Sequence, residues 1–228
     1  CGNIDPDFHD GWKNGVHPLF TKGEPKPDEW GTVSAWAWGL SRLLDTLEEI
    51  EEVDAKRVAV IGHSRLGKTS LWAGATDQRF KGVISNNSGC GGAALSKRAY
   101  GETVGRINRS FPHWFNGNFK KYNENEKALP FDQHQLLALI APRAVYVASA
   151  TEDRWADPRG EFLSVLHAQP VYDLYHKSSL GVTSHPAPDR SVGRVTGYHL
   201  RTGKHDVTPG DWKHYLAFVS RNLKEAPE

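Results

Sequence analysis

Gly62-His63-Ser64-Arg65-Leu66-Gly67-Lys68-Thr69 carries residue types that can do covalent chemistry, and it fits two patterns. As G-x-S-x-x-G it is a variant nucleophile elbow, with Ser64 at the tip of a strand-to-helix turn. As G-x-x-x-x-G-K-T it satisfies the phosphate-binding P-loop pattern, in which backbone N–H groups cradle phosphate. An elbow needs an acid and then a histidine later in the chain, each on a loop that follows a strand. Asp153 follows the apolar run 144–149, with Glu152 as its nearest rival, and His205 follows the run 195–201. His199 falls inside that run and His214 in the helical segment after it. A P-loop also needs a Walker-B acid at a strand tip to hold magnesium. The best candidate, Asp153, stands beyond the strand end, and the middle of the loop holds His63, Ser64 and Arg65 rather than small residues.

Charge separates the two readings further. Cations at a helix N-terminus oppose the helix dipole by roughly 0.3–1 kcal/mol each. Arg65 and Lys68 both stand there. A site that meets negative charge, either an oxyanion or a uronic acid, accounts for them. The elbow is therefore the preferred reading, with nucleotide binding kept as an alternative. The competing structural role for Ser64 is as a cap of the following helix.

The elements that must position these residues alternate. A helix is expected over 32–50, where Val33, Trp36, Leu40, Leu43, Leu44 and Leu47 recur at helical spacing. A strand over 57–61 leads into the elbow, followed by a helix to about 74. A strand over 81–86 precedes the loop Gly89-Cys90-Gly91-Gly92. Residues 96–130, rich in aromatics without a clean period, read as an irregular helical insertion. A short helix over 133–140, a strand over 144–149, a helix over 159–168, a strand over 195–201 and a helix over 211–223 complete the order. Residues 1–31 read as loop. The strands are mostly apolar rather than alternating, which buries both of their faces. The expected class is α/β, with a mainly parallel sheet and helices on both faces.

Bulk properties exclude several classes. A net charge of +1 over 228 residues offers no field to attract nucleic acid or an anionic membrane. No apolar run is long enough to span a bilayer. Two cysteines, Cys1 and Cys90, make no disulfide framework, and no Cys/His cluster has zinc spacing. His9, His17, His113, His134, His167, His176 and His185 are scattered and read mostly as surface or loop histidines. The chain has no Met and opens in mid-pattern at Cys1-Gly2-Asn3-Ile4-Asp5-Pro6-Asp7, so it is expected to be processed or part of a longer protein. A lipid-modified Cys1 is the lesser alternative.

Gly62-His63-Ser64-Arg65-Leu66-Gly67-Lys68 resembles the G-x-S-R-x-G-K signature of the glucuronoyl esterases, carbohydrate esterase family 15. The likeness extends to Trp36-Ala37-Trp38-Gly39, Asn87-Ser88-Gly89-Cys90-Gly91-Gly92, Gly101-Glu102, Asp153-Arg154-Trp155-Ala156-Asp157-Pro158 and Gly203-Lys204-His205-Asp206. The resemblance implies an α/β-hydrolase, with residues 1–228 as a single catalytic domain that lacks its N-terminal strands. It implies a serine esterase that cleaves the ester between (4-O-methyl-)glucuronic acid of glucuronoxylan and lignin alcohols, with no cofactor and no metal. Ser64 would be the nucleophile, His205 the base, Asp153 the acid, and Arg65 an oxyanion donor. Lys68, Glu102 and Trp155 would contact the glucuronate. The bland alternatives are a Lys68–Glu102 pair, a packing Trp155, and Asp153 in a turn with Arg154. An acetyl-xylan or other carbohydrate esterase is the alternative activity. The expected partner is the lignin–carbohydrate ester alone, with no nucleic acid or membrane. The expected state is a monomer, secreted or periplasmic, of bacterial type.

Two departures from the family pattern stand out. Many members place the triad Glu where this chain has Asn87, whereas others use an acid after the later strand. Fungal members have Cys beside the Ser and the His, where His63 and Asp206 stand here.

Overall fold

The computed structural model describes residues 2–177 and 180–224. Strands β1 (Ala59–His63), β2 (Gly82–Asn86), β3 (Ala144–Ala150), β4 (Ser191–Gly193) and β5 (Thr196–Arg201) form one sheet in the order β1-β2-β3-β5-β4. Every pairing is parallel except that of β4 with β5. Strands β2, β3 and β5 are buried along their whole length, and the polar side chains they carry, such as His199 on β5, are hydrogen-bonded in the interior.

Neighbouring residues on a strand point to opposite faces, so each buried strand feeds two cores. Val83, Val145 and Val147 meet Leu44 of α1 (Thr32–Glu48), Leu71 of α2 (Arg65–Thr76), Leu137 of α4 (Gln133–Ala138) and Phe162 of α5 (Pro158–Leu174). Ile84, Tyr146 and Ala148 meet Tyr215 and Phe218 of α6 (Pro209–Asn222) on the other face. A third cluster, with Trp36, Cys90, Ile107 and Trp114, lies under the irregular insertion, which contributes α3 (Val104–Ser110) and three short 3-10 turns. Cys90 is a free, buried thiol, pushed up to about 12 by burial. Cys1 lies outside the described residues.

The structure moves several expected boundaries. The strand before the elbow runs over Ala59–His63 rather than 57–61, because Asp54 caps a 3-10 turn at Ala55–Arg57. The helix expected over 159–168 continues through Pro170 to Leu174. Burial of Tyr172 and its hydroxyl bond to the Arg143 carbonyl (2.9 Å) hold the turn beyond the proline, where propensity alone would end it. Strand β4 was not anticipated.

Residues 2–31 are irregular but firmly held. Buried Asp5 accepts from His17 Nδ1 at 3.1 Å, and its carbonyl accepts from Trp36 Nε1 at 2.7 Å. His17 is therefore an interior residue rather than a surface one, and His113 sits in a turn with its side chain largely buried.

The elbow imposes one strict steric demand. A Cβ on Gly62 would lie 1.8 Å from the Leu66 carbonyl oxygen, which is helix backbone and cannot step aside. Gly62→Ala is expected to cost about 3 kcal/mol, measured as a lower urea midpoint at unchanged slope. A midpoint equal to that of the parent would show that the turn tolerates a side chain.

Candidate active site

Ser64 occupies the turn between β1 and α2 with φ +57° and ψ −124°. This conformation is sparsely populated for a non-glycine residue and stores about 1–3 kcal/mol. The turn is held by Ser64 N–H donating to the Asn86 carbonyl (2.9 Å) and by the Ser64 carbonyl accepting from Gly67 N–H (2.9 Å). Although Ser64 stands at the N-cap position, its hydroxyl makes no cap bond. The structural explanation for this serine therefore fails, and the hydroxyl is uncommitted. Among the described residues, the Arg65 N–H at the start of α2 has no acceptor.

Two further loops arrive at the same edge of the sheet. Arg201, the last residue of β5, folds the loop behind it by donating to the carbonyls of Thr202 (3.1 Å), Lys204 and Asp206 (3.1 Å). That loop is tied to the one after β3 through Gly203 N–H to Thr151 Oγ1 (3.0 Å) and Glu152 N–H to the Gly203 carbonyl (2.9 Å). The result is a 2.6 Å hydrogen bond from His205 Nδ1 to Asp153 Oδ2. With Nδ1 donating to the carboxylate, Nε2 carries the free lone pair that a general base needs. The His205 ring lies 4.5 Å from that of His63, the residue next to Ser64. Among the described residues Ser64 Oγ makes no hydrogen bond to His205. Such contacts often tighten only when substrate binds.

Asp153 also accepts from Asn87 Nδ2 (2.7 Å) and from the Ala156 N–H (3.3 Å). Burial pushes its carboxyl up, but the bonds from His205, Asn87 and Ala156 outweigh burial and hold it below the usual carboxylate range. Glu152 is exposed, whereas Asp153 is buried and bonded to His205.

Lys68, Glu102 and Trp155 come together beside this pair. Lys68 is buried, donates from Nζ to the Ser88 carbonyl, and lies 3.6 Å from the Glu102 carboxylate. The pairing weighed against a binding role is thus present, inside the site. Glu102 N–H donates to the Trp155 carbonyl (2.8 Å), and the Trp155 side chain is half exposed rather than packed in the core. Gly101, at φ +65°, allows this approach, since a Cβ there would sit 2.4 Å from the Trp155 carbonyl oxygen. A phosphate cradle does not form. Lys68 is engaged as described, and Thr69 Oγ1 donates to the Arg65 carbonyl within its own helix.

A family model described as glucuronyl esterase, fungi, matches residues 20–175. The chain belongs to the glucuronoyl esterase family. It is 53% identical over 231 residues to carbohydrate esterase MZ0003 from an unknown prokaryotic organism, covering 100% of this chain and 53% of that protein. It is 38% identical over 162 residues to 4-O-methyl-glucuronoyl methylesterase 1 of Phanerochaete chrysosporium, covering 67% of this chain and 33% of that one. The solved glucuronoyl esterase from Solibacter usitatus superposes with a TM-score of 0.94 at 54% identity, covering 97% of this chain and 57% of that one. The chain therefore spans about half the length of the relatives it matches.

Within the glucuronoyl esterase fold, three residues near the site were not assigned a role from sequence. His63 Nδ1 bonds Asn86 Oδ1 at 2.5 Å, and Asn86 Nδ2 donates to Tyr215 Oη at 2.6 Å. Burial chiefly lowers the His63 pKa, which keeps a second positive charge away from His205. Glu161, fully buried on α5, accepts from Ser88 N–H (2.8 Å) and Gly89 N–H (3.0 Å) with one oxygen and from Ser149 Oγ (2.6 Å) with the other. It fastens the loop that carries Asn87 to the end of β3. Glu161 shares the buried face of α5 with Ser164 and Gln169, so no break in an apolar pattern marked it. Nothing in the spacing marked His63 or Asn86.

Burial pushes the Glu161 carboxyl up to about 7, against the pull of its hydrogen bonds. A native-state pKa above the unfolded one gives stability that is full at low pH and is lost as pH rises through about 7. Relative to Glu161→Gln, the parent is expected to lose about 3 kcal/mol of unfolding free energy between pH 4.5 and 7. Parallel urea titrations of the two proteins across that window would measure it. A constant difference would remove Glu161 from the account.

Proposed function

We propose that this chain hydrolyses the ester between (4-O-methyl-)glucuronic acid of glucuronoxylan and a lignin alcohol, through an acyl-enzyme on Ser64. The observation that carries the reading is the Asp153–His205 hydrogen bond, delivered beside a serine whose hydroxyl caps nothing. The name of the Phanerochaete relative, a 4-O-methyl-glucuronoyl methylesterase, supports the substrate class.

In the proposed sequence, His205 Nε2 takes the Ser64 proton as Ser64 Oγ bonds to the uronate carbonyl carbon. The oxyanion forms against the free Arg65 N–H and the Arg65 guanidinium. Loss of one such donor typically costs roughly 3–4 kcal/mol of transition-state stabilisation. The tetrahedral centre collapses, the C–O bond to the alcohol breaks, and imidazolium His205 gives the alcohol its proton. Water repeats the route and releases the uronic acid and free Ser64. Asp153 holds the tautomer and stabilises the imidazolium. Lys68 and Glu102 bind hydroxyls of the uronate, and the exposed Trp155 ring covers its face. The chemistry uses no cofactor or metal, and residues 1–228 contribute nucleophile, acid and base from one α/β unit. A substrate in the plant cell wall implies action as a secreted or periplasmic protein. No helix among the described residues is long and apolar enough to cross a membrane.

Hydrolysis of benzyl glucuronate beside an acetyl ester tests the reading. Turnover of the glucuronate, abolished by Ser64→Ala and small on acetyl, is the expected result. Turnover of acetyl alone would make this an acetyl-sugar esterase, and turnover of neither by the intact protein would end the esterase reading.

The acid is tested separately. Asp153→Asn is expected to lower kcat by about 10⁴-fold, as loss of the correct histidine tautomer does elsewhere. Glu152→Gln should leave kcat unchanged. The reverse pattern would exchange the roles.

A further inference from the structure

The Arg65 guanidinium ends a long, rotamer-rich side chain. Fixing it opposes up to about 2 kcal/mol of side-chain entropy. Its position on the first residue of α2 gains nothing from the helix dipole. Something else must hold it if it is to meet an oxyanion. The structure supplies a clamp from the far N-terminal segment. Asp7 Oδ2 accepts from Arg65 Nη1, while Asp7 Oδ1 accepts from Trp114 Nε1 at 2.7 Å and His113 Nε2 at 2.9 Å. The guanidinium carbon lies 5.2 Å from the Trp114 ring centroid and 5.7 Å from that of Phe111. Those two rings stack on each other at 3.8 Å and 3°. Among the described residues Arg65 Nε and Nη2 have no acceptor, so the clamp takes one nitrogen and leaves the others available.

We propose that Asp7 is a positioning residue for the reaction, holding the Arg65 guanidinium against the Trp114–Phe111 stack so that its free N–H groups face the developing oxyanion. The proposal depends on the esterase reading of Ser64. Asp7 is itself fixed from both sides. Its second oxygen is committed to Trp114 and His113, and its neighbour Asp5 is anchored by His17 and Trp36. Burial pushes the Asp7 carboxyl up, but the bonds from Trp114, His113 and Arg65 outweigh burial and bring it below the usual range. It therefore stays ionised as the partner of a cation. A residue that touches no substrate would in this way set the geometry of a donor that does.

The test is a double-mutant cycle on glucuronate hydrolysis by the intact protein, with Asp7→Asn, Arg65→Ala and the pair. Asp7→Asn is expected to lower kcat by about 30-fold with KM within about twofold, a part of the 10²–10³ lost with a whole oxyanion donor. In the Arg65→Ala background it should cost nothing further, because the two act through one group. Added guanidinium should restore turnover to Arg65→Ala and fail to restore it to the double variant. An unchanged kcat in Asp7→Asn, or losses that multiply in the double variant, would overturn the proposal. Should Asp7→Asn not fold, Trp114→Phe removes the indole donor that orients Asp7 and is expected to show the same kcat-only loss. If the parent does not hydrolyse glucuronate esters, the esterase reading itself has failed, and that outcome differs visibly from either result on Asp7.

Discussion

The hydrogen bond between His205 and Asp153 is the contact to which most of the surrounding structure answers. The two residues are far apart in sequence and arrive on separate loops outside the strand pairings, Asp153 as the cap of a 3-10 turn at Arg154–Ala156. Each loop is therefore given an internal scaffold. Arg201 gathers the carbonyls of the His205 loop, and the Thr151 hydroxyl and Glu152 N–H stitch that loop to its neighbour. Glu161 fastens the loop beyond β2, so Asn87 can brace the same carboxylate from a third side. The parallel sheet brings these loop origins to one edge, and the buried polar groups then fix their ends. The strained Ser64 backbone adds the last component, and the packing of α2 against the sheet holds that strain in place.

Cations receive similar treatment. Arg65 and Lys68 both leave the unfavourable end of α2, and each meets an acid from a distant segment, Asp7 and Glu102 respectively. Trp114 lies under both, with its ring centroid 5.2 Å from the Arg65 guanidinium carbon and 5.6 Å from Lys68 Nζ. A single aromatic residue from the irregular insertion thus shapes the cationic half of the site. The insertion packs on Trp36 and Val33 of α1, so the position of Trp114 follows from the main body of the fold.

Much of this was legible in the chain. The order of Ser64, Asp153 and His205, each following an apolar run, gave the class of chemistry and the class of fold together. The strands announced a parallel sheet because they are mostly apolar rather than alternating. Helix α5 was misjudged at Pro170 because a proline stops a helix by local propensity, and only tertiary burial of Tyr172 overrides it. The N-terminal segment is irregular, as its composition suggests, but composition does not show that it is anchored. Gly, Pro, Asp and Lys look like loop whether or not their polar groups are partnered. Here Asp5, Asp7 and His17 are partnered in the interior. The Asn87–Asp153 contact was invisible because no spacing rule links a residue after β2 with one after β3.

That contact joins the loops after β2 and β3 at one point in space. Asn87 and Asp153 are two ends of one 2.7 Å hydrogen bond, with an amide at one and a carboxylate at the other. A carboxylate placed at either end reaches the same neighbourhood of the histidine. Acid and amide can therefore trade places across the bond while the imidazole, the serine and the sheet stay where they are. The carboxylate that meets His205 belongs to a location in space, and two different loops have access to it.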